Sequence, residues 1–247
     1  MTRRLVLIAV TTVALGGAAV PAALADASND PRDANTVISI EGPSANMLLP
    51  DWVAVRRTGT RTVRDSQGQR VRISARSVLS QALLGTSEGK IAMKWSWYPE
   101  FSAPWITSIG RIGAKGAQGW NFRVNSVYQS RAANRVNLAV GDRVTWYWGK
   151  EFATVLEIAD PVFGKAPGAV VGPGPFTVTV NEVTSKNLRT PSSAATVTYG
   201  ATTATTNARG QAVLAPIAGI NTLRVTKAGR IAATKPVCTL GAPECPS

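Results

Sequence analysis

Polar and apolar positions along the chain fall into three regimes. An uncharged, mainly apolar run from Leu5 to Leu15 opens it, too short for a stable membrane span. From Thr36 to Gly149 a period of two dominates. TVISIE leads to a Gly42-Pro43 turn, and RTVRDSQGQRVRIS reads as a hairpin turning at Asp65–Gly68. Trp95 and Trp97, Trp120 and Phe122, and Trp146 and Trp148 each sit two apart, so on strands each pair points to one face. One segment breaks that rhythm. Val78, Leu79, Ala82 and Leu83 keep helical spacing, with Ser74 placed to cap the start and Gly85 to end it. Beyond residue 175 tryptophan disappears. FTVTVNEV, AATVTYGA, TATTNARGQAVLAPI and INTLRVTKAG are short β-branched segments divided by turn residues.

These regimes predict an α+β domain at 36–150, a sheet with one helix packed on it. An all-β sandwich follows at 151–240, with ATVLEIAD as an early strand. DPVFGKAPGAVVGPGP, residues 160–175, reads as a Gly/Pro-rich connection within the second domain, and 241–247 as a tail. Residues 1–25 read as a signal peptide, with Arg3 and Arg4 as its basic region and Ala23-Leu24-Ala25 as a small-x-small cleavage site. The general secretory route fits better than the twin-arginine route, because the basic region is very short and the core strongly apolar. Residues 26–35 are polar and are expected to be disordered. The mature chain is then a secreted monomer without a transmembrane anchor. In an oxidising compartment its two cysteines, Cys238 and Cys245, are expected to pair and pin the tail.

Charge adds a surface to this outline. The 247-residue chain carries a formal net charge of +13, and arginine outnumbers lysine 19 to 8. Seven arginines lie between Arg56 and Arg76, against the single acid Asp65. On the exposed hairpin, Arg61, Arg64, Arg70 and Arg72 favour an anionic partner such as an envelope polymer. The plainer role for such charges is solubility and protection of a strand edge. Nucleic acid is a poor expectation for a secreted chain.

The chemistry available is narrow. There is no histidine, which removes the commonest general base and the most frequent metal ligand. With both cysteines oxidised no thiol nucleophile remains, and GRIGAKGAQG lacks the strand–helix context of a phosphate loop. No catalysis, metal or cofactor is expected. A carboxylate-based glycoside hydrolase is an outlying alternative, with Glu100 as its acid. The remaining chemistry is aromatic. MKWSWYPEFSAPW holds five of the sixteen rings. Trp95 and Trp97 read as sheet core. Tyr98, Phe101 and Trp105, broken by two prolines and joined by Glu100, read as a loop that either packs into a groove or meets a ligand.

VISIEGPSANML, SVLSQALLG, WITSIG, GWNFRVN and LAVGDRVTWYWG occur in an order and spacing that resemble a known family. It is the β-grasp-type domain that also forms the C-terminal β-domain of transcobalamin and intrinsic factor, and the resemblance spans residues 36–149. One departure stands out: Asn125-Ser126 replaces the usual Asn-Gly of the hairpin turn. The second domain resembles bacterial Ig-like and carboxypeptidase-regulatory, prealbumin-like sandwiches, with Asn207 in TNARGQA at the position of the family's acid. The expected function is therefore a secreted, non-catalytic binding or adhesion module contacting anionic envelope polymers. The alternative implied by the resemblance is a small hydrophobic ligand of the corrinoid type, held by Tyr98, Phe101, Trp105 and Glu100.

Overall fold

The computed structural model describes residues 35–47, 52–55, 58–139, 141–159, 169–172 and 174–239. The expected signal peptide, nearly all of the expected N-terminal segment, Cys245 with the tail, and most of the Gly/Pro-rich connection lie outside the described residues. The protein is mostly β, with one helix among the described residues, and its buried apolar side chains form two main clusters.

The first cluster sits among β1 (Asn35–Glu41), β2 (Trp52–Val55), β3 (Thr60–Arg64), β4 (Arg70–Ser74), α1 (Val78–Glu88), β5 (Met93–Tyr98), β6 (Ala103–Ile109), β7 (Ile112–Gly113), β8 (Gly119–Val124), β9 (Val127–Tyr128) and β10 (Arg143–Gly149). A five-stranded sheet runs β2-β1-β10-β8-β9, and only its β1–β10 pair is parallel. β3 and β4 form a separate hairpin, and β5, β6 and β7 a small meander. Ile38 and Ile40 of β1, Val63, Val71 and Ile73 of the hairpin, and Val78, Leu79 and Ala82 of α1 are buried together with Trp95, Trp120 and Trp146. Trp97, Phe122 and Trp148 pack on their border.

Four local expectations are corrected by the structure. The helix cap is Ser77, not Ser74: Ser80 N donates to Ser77 Oγ, and Ser77 Oγ donates to Ser74 O. The helix also runs through the buried Gly85 to Glu88, and Gly89 takes the C-cap. Tyr98–Trp105 is no open loop but the turn and flanks of the β5–β6 hairpin, with Pro104 opposite Trp97. A strand accepts proline where one side has no ladder to donate to, and β6 is laddered only to β5 at that point. Finally, β1 begins at Asn35, one residue inside the segment expected to be disordered.

The second cluster lies between two sheets. One contains β11 (Val155–Ala159), β13 (Phe176–Val183), β14 (Arg189–Pro191) and β17 (Gln211–Leu214). The other runs β12 (Ala169–Val171), β19 (Ala233–Thr239), β18 (Ile220–Thr226), β15 (Thr196–Tyr199), β16 (Thr202–Thr205). Val178 and Val180 from the first sheet meet Val197, Tyr199, Leu223, Val225 and Val237 from the second, a sandwich-type packing. ATVLEIAD supplies β11, which pairs with β13. Asn207 does the turn work expected of an acid, because Oδ1 accepts from Arg209 N and Gln211 N. Cys238 is buried near the end of β19.

The two clusters meet across the polar face of the main sheet. Ser39 and Glu41 point away from Ile38 and Ile40, yet both are buried. Glu41 forms an ion pair at 2.9 Å with Arg224 of β18. Tyr147, Val155 and Val183 form a small apolar cluster of their own at this junction, bordered by Ala153 and Ile231.

Candidate functional site

The β3–β4 hairpin sorts its arginines. Its register places Arg64 opposite Arg70 and Thr62 opposite Arg72, so these side chains share one face, and all three arginines are exposed. Val63, Val71 and Ile73 take the other face, into the core. Arg61, opposite Ile73 and two residues before Val63, shares that face. It lies on the inward side, half-buried, where Nη1 reaches Ser80 of α1. The four arginines expected to act together are thus three on an outer face and one against the helix.

Asp65, at the hairpin's turn, is a docking residue. Oδ1 accepts from Gln67 N and Gln69 N, and Oδ2 accepts from Trp97 N at 3.0 Å. The Trp97 bond is the leading reason its pKa lies below the usual carboxylate value. Next to it, Trp95 N donates to Ser66 Oγ and Ser66 N donates to Trp95 O. This clasp fastens the arginine hairpin to the ring-bearing β5–β6 hairpin. The sequence offered only a turn signal there, since Asp-x-x-Gly occurs in many turns that dock on nothing.

On the β5–β6 hairpin, Trp95 is 2% exposed, whereas Tyr98, Phe101 and Trp105 are 41%, 70% and 54% exposed. Tyr98 faces Ala103 and Trp105 faces Ser96 across the ladder, so Tyr98 and Trp105 share the outer face while Phe101 sits in the turn. Phe101 O and Ser102 O accept from Arg135 Nη2 and Asn134 Nδ2, which fix the turn from behind. Glu100 is exposed in the same turn. Among the described residues no cluster of His, Cys, Asp and Glu has a metal-binding arrangement.

Two further carboxylates have structural work. Asp142 accepts from Ala139 N and Asn125 Nδ2, closing the loop before β10. Glu151 accepts from Tyr128 Oη at 3.0 Å. Burial first, and that carboxylate second, push the Tyr128 phenol up to about 12.

The residue that sequence reasoning missed altogether is Arg123 of β8, the buried guanidinium at the junction. Nη1 donates to Ser126 O and Thr184 O, and Nη2 donates to Ala153 O at 2.8 Å. Burial lowers its pKa. In GWNFRVN it looked like any polar residue on the solvent face of a strand.

Geometry thus defines a mostly β protein with two cores, a polar clasp between them, and exposed rings and exposed arginines on two adjoining hairpins. Residues 88–150 match the model of a domain of unknown function (DUF4430), a family associated with transcobalamin-like domains. The matched segment runs from the end of α1 through β10. It contains the ring-bearing hairpin and the Asn125-Ser126 turn, and excludes the arginine hairpin. No curated protein matches the chain.

Proposed function

We propose that this chain is a secreted, non-catalytic binding module that holds an anionic envelope polymer on the Arg64, Arg70 and Arg72 face. In this reading residues 36–150 are a β-grasp-like domain of the transcobalamin β-domain type. Residues 151–240 are an Ig-like sandwich that spaces or presents it. The carrying observation is the register of the hairpin. Arg64 and Arg70 stand directly opposite each other, Arg72 lies on the same face, and the hairpin's one acid, Asp65, is turned inward onto β5. Like charges directly across a ladder cost a few tenths to about 1 kcal/mol, and a polyanion laid over the face offsets that repulsion. The clasp at Asp65 and Ser66 gives the face a rigid footing.

The test is retention of the purified chain on an immobilised polyphosphate. Expected is retention that weakens steeply as ionic strength rises and the Debye length shrinks below about 10 Å. Neutralising Arg64, Arg70 and Arg72 to glutamine should abolish it, with the fold intact by circular dichroism. Retention that ignores both salt and the triple substitution refutes the reading.

A second reading rests on the exposed rings of the family-matched segment: a corrinoid-type ligand laid on Tyr98, Phe101 and Trp105, beside Glu100. It requires that hydroxocobalamin quench tryptophan emission saturably and that Phe101→Ala weaken the quenching.

A further inference from the structure

β6 and β8 run side by side, with Cα atoms within 8 Å, yet no ladder joins them. Where their two sheets part lies a cleft of about 440 Å³, within the range of small-ligand sites. Five rings line it: Trp105, Trp120, Phe122, Tyr128 and Trp146. Phe122 and Trp146 pack with ring centroids 5.2 Å apart, and Trp120 Nε1 is tied to Ile112 O at 2.8 Å, so these walls are fixed. Trp105 stands half exposed at the rim.

The cleft also presents backbone polar groups. In an antiparallel strand, alternate residues turn their N–H and C=O to opposite sides. Asn125 N donates to Arg143 O at the end of the β8–β10 ladder, so Asn121 and Arg123 face β10. Trp120 and Phe122 therefore face the other way, where β9 pairs only with Arg123 and Val124. That edge of β8 borders the cleft, and no backbone hydrogen bond to it from loops or turns is made among the described residues. Gln118 and Gln129 add amides to the lining. The two charges there, Arg131 and Glu151, are of opposite sign, and Glu151 already accepts from Tyr128.

Flat aromatic walls, amides, a free strand edge and balanced charge match a molecule with apolar C–H faces and a rim of hydroxyls. We propose that this cleft binds one or two rings of a neutral saccharide, with Trp105 stacking on a sugar face and the Trp120–Phe122 edge meeting the hydroxyls. An inserted peptide strand fits less well, because it needs about twice the 4.8 Å inter-strand spacing between its neighbours, roughly 9.6 Å. The site is separate from the arginine face and does not rest on it.

The test titrates the secreted chain with three neutral probes, chitotriose, cellotriose and maltotriose, following tryptophan emission and heat. At least one should give a saturable response with a midpoint between about 0.1 and 10 mM. That response should be unchanged between about 50 and 500 mM salt, because no ion pair is formed. Trp105→Ala, at a half-exposed position, should weaken it ~10-fold or more, and Phe101→Ala, outside the cleft, by less than ~2-fold. Glutamines at Arg64, Arg70 and Arg72 should leave it intact, so failure of polymer binding and failure of this site are distinguishable. Three outcomes overturn the proposal: no saturable response to any probe, a response that Trp105→Ala leaves alone, or saturable binding only of hydroxocobalamin or an extended peptide.

Discussion

Replacing Ser126 with glycine should make the protein more stable. Val124 pairs with Val127 across a two-residue turn, and Asn125 and Ser126 both have positive φ, +51° and +63°. That is the geometry Asn-Gly serves best, held here by a serine. A non-glycine residue in the left-handed region bears a cost of about 1–2 kcal/mol, while glycine's freer unfolded chain costs about 0.5–1 kcal/mol. The net gain is therefore about 0.5–1 kcal/mol. Little else changes, because the bond from Arg123 Nη1 is to the backbone carbonyl of Ser126, which glycine keeps. Differential scanning calorimetry should show Tm rising by roughly 1–4 °C if the chain unfolds as one unit. Asn125→Gly is the control. It relieves the same strain but loses the bonds of Asn125 Oδ1 to Arg143 N and Nδ2 to Asp142, so it should lower Tm. A Ser126→Gly variant no more stable than the parent, or an Asn125→Gly variant that matches it, refutes the account of the turn.

Arg123→Met leaves the carbonyls of Ser126, Ala153 and Thr184 without their donor at a buried junction, and should cost about 2–4 kcal/mol in urea unfolding. A loss below ~1 kcal/mol means that water replaces the guanidinium and that the clasp is dispensable. Asp65 gives a pH signature. Its folded pKa is depressed, so its contribution is present above the unfolded carboxylate value of about 3.9 and is lost as pH falls through the lower folded value. Tm should therefore drop on acidification more in the parent than in Asp65→Asn, whose neutral amide has no proton to gain. Equal acid sensitivity of the two proteins counts against the Trp97–Asp65 clasp.

Elements whose cause lies within a few residues were legible. β3–β4, the tryptophan-bearing strands and the short strands of the sandwich follow from alternation and turn residues. Ser77 was hidden by Ser74, an equally good cap three positions earlier, and the choice between them depends on which hydroxyl Ser80 N reaches. Elements whose cause is distant were not legible. TVISIE alternates as though its serine and glutamate met water, whereas in the fold Glu41 is buried, accepting from Asn46 Nδ2 and paired with Arg224 of β18. Two prolines mask the β5–β6 hairpin, because a strand with an open side escapes the rule that proline breaks a ladder. The ring cleft was also out of reach, since Trp105 and Tyr128 come together only when β6 settles beside β8.

The same distinction changes what the net charge means. A formal charge of +13 suggests a diffuse basic surface, but folding assigns many of the arginines to fixed partners. Arg189 pairs with Glu157, Arg224 with Glu41, and Arg230 with Glu182. Arg123 is spent on three carbonyls, and Arg61 is drawn toward Ser80. Ion pairs of this kind cancel their charges locally and project little field beyond a Debye length. The arginines of β3 and β4 whose charges meet solvent without an acid are Arg64, Arg70 and Arg72, fixed in register by one hairpin. In the proposed function, selectivity for an anionic polymer would come from the spacing of three charges on one ribbon rather than from the total charge, and an anion's fit to that spacing, not its charge density alone, would decide whether it is held.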